Sequence, residues 1–168
     1  MKKIRPKHIT YIAVFTAMEV VLSRFLSFNA WNLKIGFNFV PIVLVAMLMG
    51  PIPAGLVAAL GDFIGAILFP IGAYFPGFTF TAFLTGIIFG VFLFERQSYI
   101  RTLSAVLINQ LILSLLLNSL WISILYGSPY IPLLSTRIVQ CGILIPVQFI
   151  VITVIQQAVL LQIKKVIE

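Results

Sequence analysis

The sequence predicts an all-α, polytopic membrane protein: a single domain over residues 1–168 with six transmembrane helices and both termini cytoplasmic. Hydrophobic residues make up 61% of the chain and charged residues only 9%, whereas about a quarter of an average soluble domain is charged. Four runs, at 35–61, 63–94, 102–136 and 138–163, lack Asp, Glu, Lys and Arg, and a spanning helix needs about 20 mainly apolar residues. The runs are continuous rather than alternating segments of about ten residues, so they favour helices over a β-barrel.

Breaks in the first half of the chain predict helices at 10–28, 39–49 and 54–69. Gly50 and the two prolines just after it separate the second helix from the third, because proline lacks a backbone N–H and disturbs the preceding turn. The basic N-terminus leads into the first apolar segment without a small-residue cleavage site. We therefore expect a retained first helix rather than a signal peptide.

Breaks in the second half predict helices at 78–94, 102–126 and 133–166. A polar segment at 95–101 separates the fourth helix from the fifth, and a glycine- and proline-containing segment at 127–132 separates the fifth from the sixth. Such segments interrupt helices because their residues favour turns. The count of six helices follows.

The distribution of Lys and Arg predicts the orientation, because cytoplasmic loops carry an excess of these residues. Three of the eleven, Arg24, Lys34 and Arg137, fall on the predicted outer side. The other eight fall on the predicted cytoplasmic side and are Lys2, Lys3, Arg5, Lys7, Arg96, Arg101, Lys164 and Lys165. The net charge of +7 is therefore mostly a topology signal and does not indicate nucleic-acid binding.

The three outer basic residues, Arg24, Lys34 and Arg137, are candidates for binding an anion. Charges in or near hydrocarbon are costly and usually have a partner or a function. Only two acids, Glu19 and Asp62, lie away from the predicted cytoplasmic side, so one cation is left over. The alternative is structural: Arg24 and Lys34 reach the lipid headgroups, and Arg137 pairs with Asp62.

Polar and aromatic side chains add to the predicted pocket. Asn118 and Trp121 lie on one face of the fifth helix, near its outer end and level with Arg137; they either contact a ligand or join helices. The outer loops are aromatic, which fits either an interfacial belt or a surface for stacking a flat ring. These loop residues are Trp31, Phe37, Phe39, Tyr74, Phe75 and Phe78.

The sequence lacks the motifs of common enzymes. The single cysteine, Cys141, permits no intrachain disulfide. No Cys/His metal cluster, nucleophile elbow or P-loop occurs, so we expect no metal, no cofactor and no catalysis. A self-sufficient carrier and an intramembrane enzyme acting on lipid remain as alternatives, although the chain offers few acids for ion coupling or catalysis.

Motifs along most of the chain, from about Ile9 to the C-terminus, resemble an S component of the energy-coupling factor (ECF) vitamin transporters. They are Ala13-x-x-x-Ala17, the stretches 32–41, 50–55, 61–62 and 75–80, the stretch 109–118 with Trp121, and Arg137. The stretch 109–118, Trp121 and Arg137 resemble the folate-specific branch of this family.

The resemblance implies a division of labour between subunits. The chain would bind a vitamin in an outward-facing pocket, capped by the loops after helices one and three, in the cell membrane. Ala13 and Ala17 would pack on a membrane-embedded T component, and two cytoplasmic ATPases would supply the energy. Arg24 lies within about 20° of the line through Ala13 and Ala17 on a straight helix, so it faces either the pocket or the T component.

The resemblance also implies folate, or a reduced folate, as the ligand. Its flat rings suit the aromatic residues Tyr74, Phe75, Phe78 and Trp121. Its two carboxylates suit Arg24, Lys34 and Arg137, because arginine offers a bidentate fork. Asn118 or Asp62 would bond the pterin edge. Riboflavin, which lacks carboxylates, and thiamine, which is a cation, fit these basic residues less well and remain the alternative vitamins.

Overall fold

The computed structural model of the chain describes residues 6–30, 33–94 and 98–167. These residues form a bundle of six helices with one antiparallel hairpin. The elements are α1 (Pro6–Arg24), β1 (Ser27–Ala30), β2 (Leu33–Gly36), α2 (Phe39–Met49), α3 (Pro51–Leu68), α4 (Pro76–Leu93), α5 (Tyr99–Tyr126) and α6 (Tyr130–Ile167). The helical fold class is confirmed, and the hairpin is an addition to it.

Proline sets the start of two helices. Pro51 and Pro76 each occupy the beginning of a helix, where the missing N–H costs nothing and the fixed φ already suits the helix. Gly50 joins α2 to α3 with a φ of 93°, a value that glycine tolerates and other residues rarely adopt. As a result α3 begins three residues earlier than the sequence predicted.

The end of the first helix was predicted wrongly. The helix ends at Arg24, not near residue 28, and the chain then forms the hairpin. Ser27 pairs with Gly36, and Asn29 pairs with the backbone of Lys34. Pairing satisfies backbone groups that would otherwise lack partners beside the membrane. The side chain of Lys34, and the whole of Trp31, lie outside the described residues.

Within the described residues, four helices are long and apolar enough to cross a membrane: α3, α4, α5 and residues 130–159 of α6. Helix α2 has only 11 residues, or about 16 Å, against about 30 Å for the hydrocarbon core. It therefore covers about half the thickness by itself.

Helix α5 contains a π-helical segment. Residues Ile108–Leu117 form a π-helix between two α-helical parts. Such stretches are rare and often lie near functional sites. Asn109 and Gln110 are buried within it. The apolar pattern of the sequence predicts a helix here without distinguishing the two helix types.

Glycines bring α3 and α4 together as antiparallel neighbours. A Cβ atom at Gly86 would lie 2.5 Å from the backbone nitrogen of Gly55, and one at Gly90 would lie 2.6 Å from that of Pro51. Only glycine permits backbones to approach so closely. The contact lies in the half of the bundle away from the hairpin, where the apolar core includes Phe89 and Leu93.

We expect Gly86→Ala to destabilise the protein by about 1–3 kcal/mol, because the added methyl group overpacks a contact between two backbones. Gly142→Ala is the control, since nothing lies within 4 Å of a Cβ atom there. The buried thiol of Cys141 allows a thermal assay in detergent with a thiol-reactive dye. Equal melting midpoints for the two variants would contradict the proposed contact.

Candidate functional site

A cavity of about 590 Å³ lies at the end of the bundle that carries the hairpin. All six helices contribute to its wall, together with the connection between α3 and α4. The lining residues are Glu19, Arg24, Asn38, Ile42, Ala58, Asp62, Ala66, Ile71, Gly72, Ala73, Tyr74, Phe78, Thr81, Ala82, Thr85, Asn118, Ile122, Tyr126 and Arg137. Of the predicted site residues, five lie together in this wall, on α1, α3, α4, α5 and α6, and Tyr74 joins them from the α3–α4 connection.

Four charged side chains line the cavity, two of each sign. Glu19 and Asp62 are the acids, and Arg24 and Arg137 are the cations. Glu19 is only 3% exposed and Arg137 only 7%. The described part of the wall is therefore balanced in charge, and the excess of one cation expected from the sequence depends on Lys34.

The side chain of Arg24 crosses from α1 to α3. Its Nη2 donates to the backbone carbonyl of Asp62 at 3.5 Å, and a Cβ atom at Gly65 would lie 2.7 Å from its Nε. Ala13 and Ala17 are exposed on the outer face of the same helix. Although Arg24 lies near the line through Ala13 and Ala17 on the helix, its side chain is long enough for the guanidinium to reach the cavity.

The carboxylate of Asp62 is held in place by a hydrogen bond from α4. Its Oδ2 accepts a hydrogen bond from the Thr79 hydroxyl at 2.8 Å, and the hydroxyls of Thr79 and Tyr74 lie 3.2 Å apart. The Tyr74 ring packs edge-on against Phe63 at 5.8 Å. Among the described residues, Asp62 forms no ion pair with Arg137, so the structural alternative for these two residues is not observed.

Arg137 and Asn118 present polar atoms that the described residues leave without hydrogen-bond partners. These atoms are the buried Nε of Arg137 and the buried Oδ1 of Asn118. Buried polar groups are nearly always bonded, and leaving one unbonded costs about 1–3 kcal/mol. Both residues line the cavity, so polar groups at its wall lack hydrogen-bond partners among the described residues.

Trp121 and Phe75 lie behind the cavity wall rather than in it. The indole N–H of Trp121 donates to the Thr81 hydroxyl at 3.0 Å, and its ring lies 5.5 Å from that of Phe75. Phe75 in turn packs edge-on against Phe78 at 6.3 Å. Of these three aromatic residues only Phe78 lines the cavity, so Trp121 and Phe75 support the wall in this structure.

Glu19 and Thr81 are wall residues that the site prediction missed. An acid inside an apolar helix is itself a signal of function, and Glu19 lies on the side of α1 roughly opposite Ala13 and Ala17. That position could have marked it as facing the bundle. Thr81 carries no comparable signal, because a threonine in an apolar helix commonly bonds its own backbone, as it does to Gly77 here.

The fold defines a multi-pass membrane protein with a partly polar cavity, and comparison with known proteins gives the class. Residues 7–156 match the family described as "ECF transporter, substrate-specific component". The chain belongs to this family. It is a family of substrate-binding transport subunits, not of enzymes.

Two relatives share the same description, "Folate transporter FolT". One, from Clostridium novyi (strain NT), is 40% identical over 153 residues, which cover 90% of this chain and 88% of the relative. The other, from Leuconostoc mesenteroides subsp. mesenteroides, is 36% identical over 95 residues, which cover 56% of this chain and 51% of the relative.

Two solved structures share the fold. The crystal structure of FolT bound with folic acid superposes with a TM-score of 0.84 at 36% identity, covering 89% of this chain and 92% of that one. The structure of the S component of a bacterial ECF transporter superposes with a TM-score of 0.56 at 22% identity, covering 96% and 98%. The second likeness concerns the fold alone.

The bond between Trp121 and Thr81 predicts the behaviour of Thr81→Val. We expect a loss of about 1 kcal/mol of stability, because the indole N–H loses its acceptor, and a red shift of Trp121 emission. The measurement uses a Trp31→Phe background, in which Trp121 is the remaining tryptophan.

Thr85→Val is the matched control, because the Thr85 hydroxyl donates within its own helix, to the carbonyl of Thr81 at 3.0 Å. Identical emission spectra for the two valine variants would show that the indole does not depend on Thr81.

Proposed function

We propose that this chain is the folate-capturing subunit of an ECF transporter in the cell membrane. One observation carries the proposal: a cavity lined by Arg137 and Asn118, each of which has a buried polar atom without a partner among the described residues, lies in a chain whose fold matches that of FolT bound with folic acid. Its volume of about 590 Å³ falls within the range of about 300–1,000 Å³ that is usual for small-molecule sites.

The chemistry of the wall suits a flat molecule with carboxylates. Arg137 and Arg24, with Lys34 from the hairpin, bind the two carboxylates of folate, because charge-assisted bonds from arginine to carboxylate are strong and directional. Phe78 and Tyr74 offer ring faces and edges to the flat ring system. Asn118 or an acid of the wall bonds the pterin edge.

In this proposal Trp121 and Phe75 do not contact the ligand and instead support residues of the cavity wall. Trp121 and Phe75 hold Phe78 and Thr81 in place through the contacts described above. A ligand that displaces Phe78 would bring them into direct contact with its rings.

The proposed orientation places the hairpin end outside and both termini in the cytoplasm. Eight of the eleven basic residues then lie on the cytoplasmic side, as the positive-inside rule requires. The six helices cross the membrane as a single domain, and the short α2 spans about half of the hydrocarbon thickness by itself. The cavity then opens toward the external medium.

The proposed partners are a membrane-embedded T component and two cytoplasmic ATPases. Ala13 and Ala17 are small, exposed and four residues apart on α1, so another helix can approach them closely. This surface faces away from the cavity, which allows one helix to contribute to both binding and assembly.

The proposal predicts that the purified protein binds one folate molecule per chain. Arg137→Ala should weaken binding by about 2 kcal/mol or more, roughly 30-fold, because a buried charge-assisted contact is lost. Tryptophan quenching on titration measures this, with riboflavin and thiamine as the competing vitamins. Arg101→Ala, near the opposite end of the bundle, is the control and should bind as the unmodified protein does. Quenching by riboflavin or thiamine alone would reject folate.

A second prediction separates assembly from binding. Replacing Ala13 and Ala17 with tryptophan should leave folate affinity intact and abolish uptake into cells that contain the complete transporter. The control is Val139→Trp, which adds the same bulk at an exposed position of α6 and should preserve uptake. If the double variant assembled but bound no folate, the two surfaces would not be independent.

A further inference from the structure

We propose that Glu19 recognises the hydrogen-bond donor edge of the ligand's flat ring, and that Gly61 is the residue that positions its carboxylate. The inference rests on the proposed function and deepens it. It assigns a role to Glu19, the more buried of the two acids in the described cavity wall.

Glu19 lies where α1 faces α3. Its side chain lines the cavity and is 3% exposed. A Cβ atom at Gly61 would lie 2.6 Å from the carboxyl carbon of Glu19 and closer still to one of its oxygens. The carboxylate therefore occupies the space that any other residue at position 61 would fill.

The same arrangement repeats one turn further along α3. A Cβ atom at Gly65 would lie 2.7 Å from Nε of Arg24. Two charged side chains of α1 thus lie in two successive glycine gaps of α3, the acid deeper and the cation nearer the hairpin. Because each gap holds one of these side chains, the two glycines of α3 set the positions of the Glu19 carboxylate and the Arg24 guanidinium in the cavity.

Glu19, Asn118 and Arg137 lie at a similar depth. Gly61, which Glu19 contacts, is seven residues from the hairpin end of α3, and Arg137 is seven residues from that of α6. Asn118 is eight residues from the same end of α5. At 1.5 Å per residue these separations are about 10–12 Å. The layer combines acceptors with one cationic donor, which suits a ring that has both a donor edge and an acceptor edge.

A carboxylate is the natural partner of the donor edge. It accepts two parallel hydrogen bonds, and an aminopyrimidinone ring carries two adjacent N–H groups that point the same way. The other acid of the wall, Asp62, is only half-buried and accepts the Thr79 hydroxyl. Glu19 is 3% exposed, and hydrogen bonds are stronger where water is excluded, so we assign the donor edge of the ring to Glu19.

The test compares folic acid with its 2-deamino-2-methyl analogue, which keeps the glutamate and loses the exocyclic N–H donors. We expect the unmodified protein to prefer folic acid by about 10- to 100-fold, because a site built to bond an N–H rejects an analogue without it. Glu19→Gln should reduce this preference to less than about threefold. Competition binding in detergent measures both affinities.

Gly61→Ala is the second variant, and it removes no charged group. The added methyl group should displace the carboxylate and reduce the preference as Glu19→Gln does. Gly65→Ala, the matched control, meets Arg24 instead and should keep the preference even if it lowers affinity for both ligands. Asp62→Asn should keep the preference as well.

The outcomes separate this inference from the proposed function. Folate binding with an undiminished preference in Glu19→Gln would overturn the role of Glu19 and leave the proposed function standing. An undiminished preference in Gly61→Ala would overturn the positioning role of Gly61. Failure of the unmodified protein to bind folic acid would instead reject the proposed function.

Discussion

The cost of burying charge in an apolar bundle is the constraint on which the rest of this structure depends. Charged side chains within a membrane-spanning fold must face a partner or a polar cavity. Glu19, Arg24, Asp62 and Arg137 come from three helices and all face the same cavity. These four charged side chains meet at the hairpin end of the bundle, whereas the contact between α3 and α4 at the other end is made by glycines and apolar residues.

Small residues make that arrangement possible. Gly86 and Gly90 of α4 bring that helix against α3 at the end away from the hairpin. At the hairpin end, Gly61 and Gly65 of α3 leave gaps for the charged side chains of α1. The missing side chain of glycine therefore serves helix packing at one end of the bundle and the positioning of charge at the other.

Long apolar runs were sufficient to predict the helices, because a run without charges can satisfy its backbone in a membrane only as a helix. The hairpin was missed because its eight paired residues are too few to show a clear alternation. The π-helical segment was missed because its apolar residues suit either type of helix. Both features depend on contacts between elements, which a single sequence does not contain.

The lining of the cavity was predicted in part. Charge and helical spacing marked Arg137, Asn118 and Arg24, and all three line the cavity. Spacing alone did not show that the Arg24 side chain would turn toward α3, because the length of that side chain exceeds the offset on the helix. It also did not distinguish Phe78, which lines the cavity, from Trp121, which lies behind the cavity wall. Helical spacing gives the direction of a side chain and not its distance from the cavity.

A crystal structure of this protein with folic acid would test most directly whether the buried charges form the ligand site. We expect the ligand to fill the cavity at the hairpin end, with at least one of its polar atoms within about 3.2 Å of the Arg137 guanidinium. A ligand held on a lipid-facing surface or outside the hairpin, with the cavity wall unchanged, would contradict it.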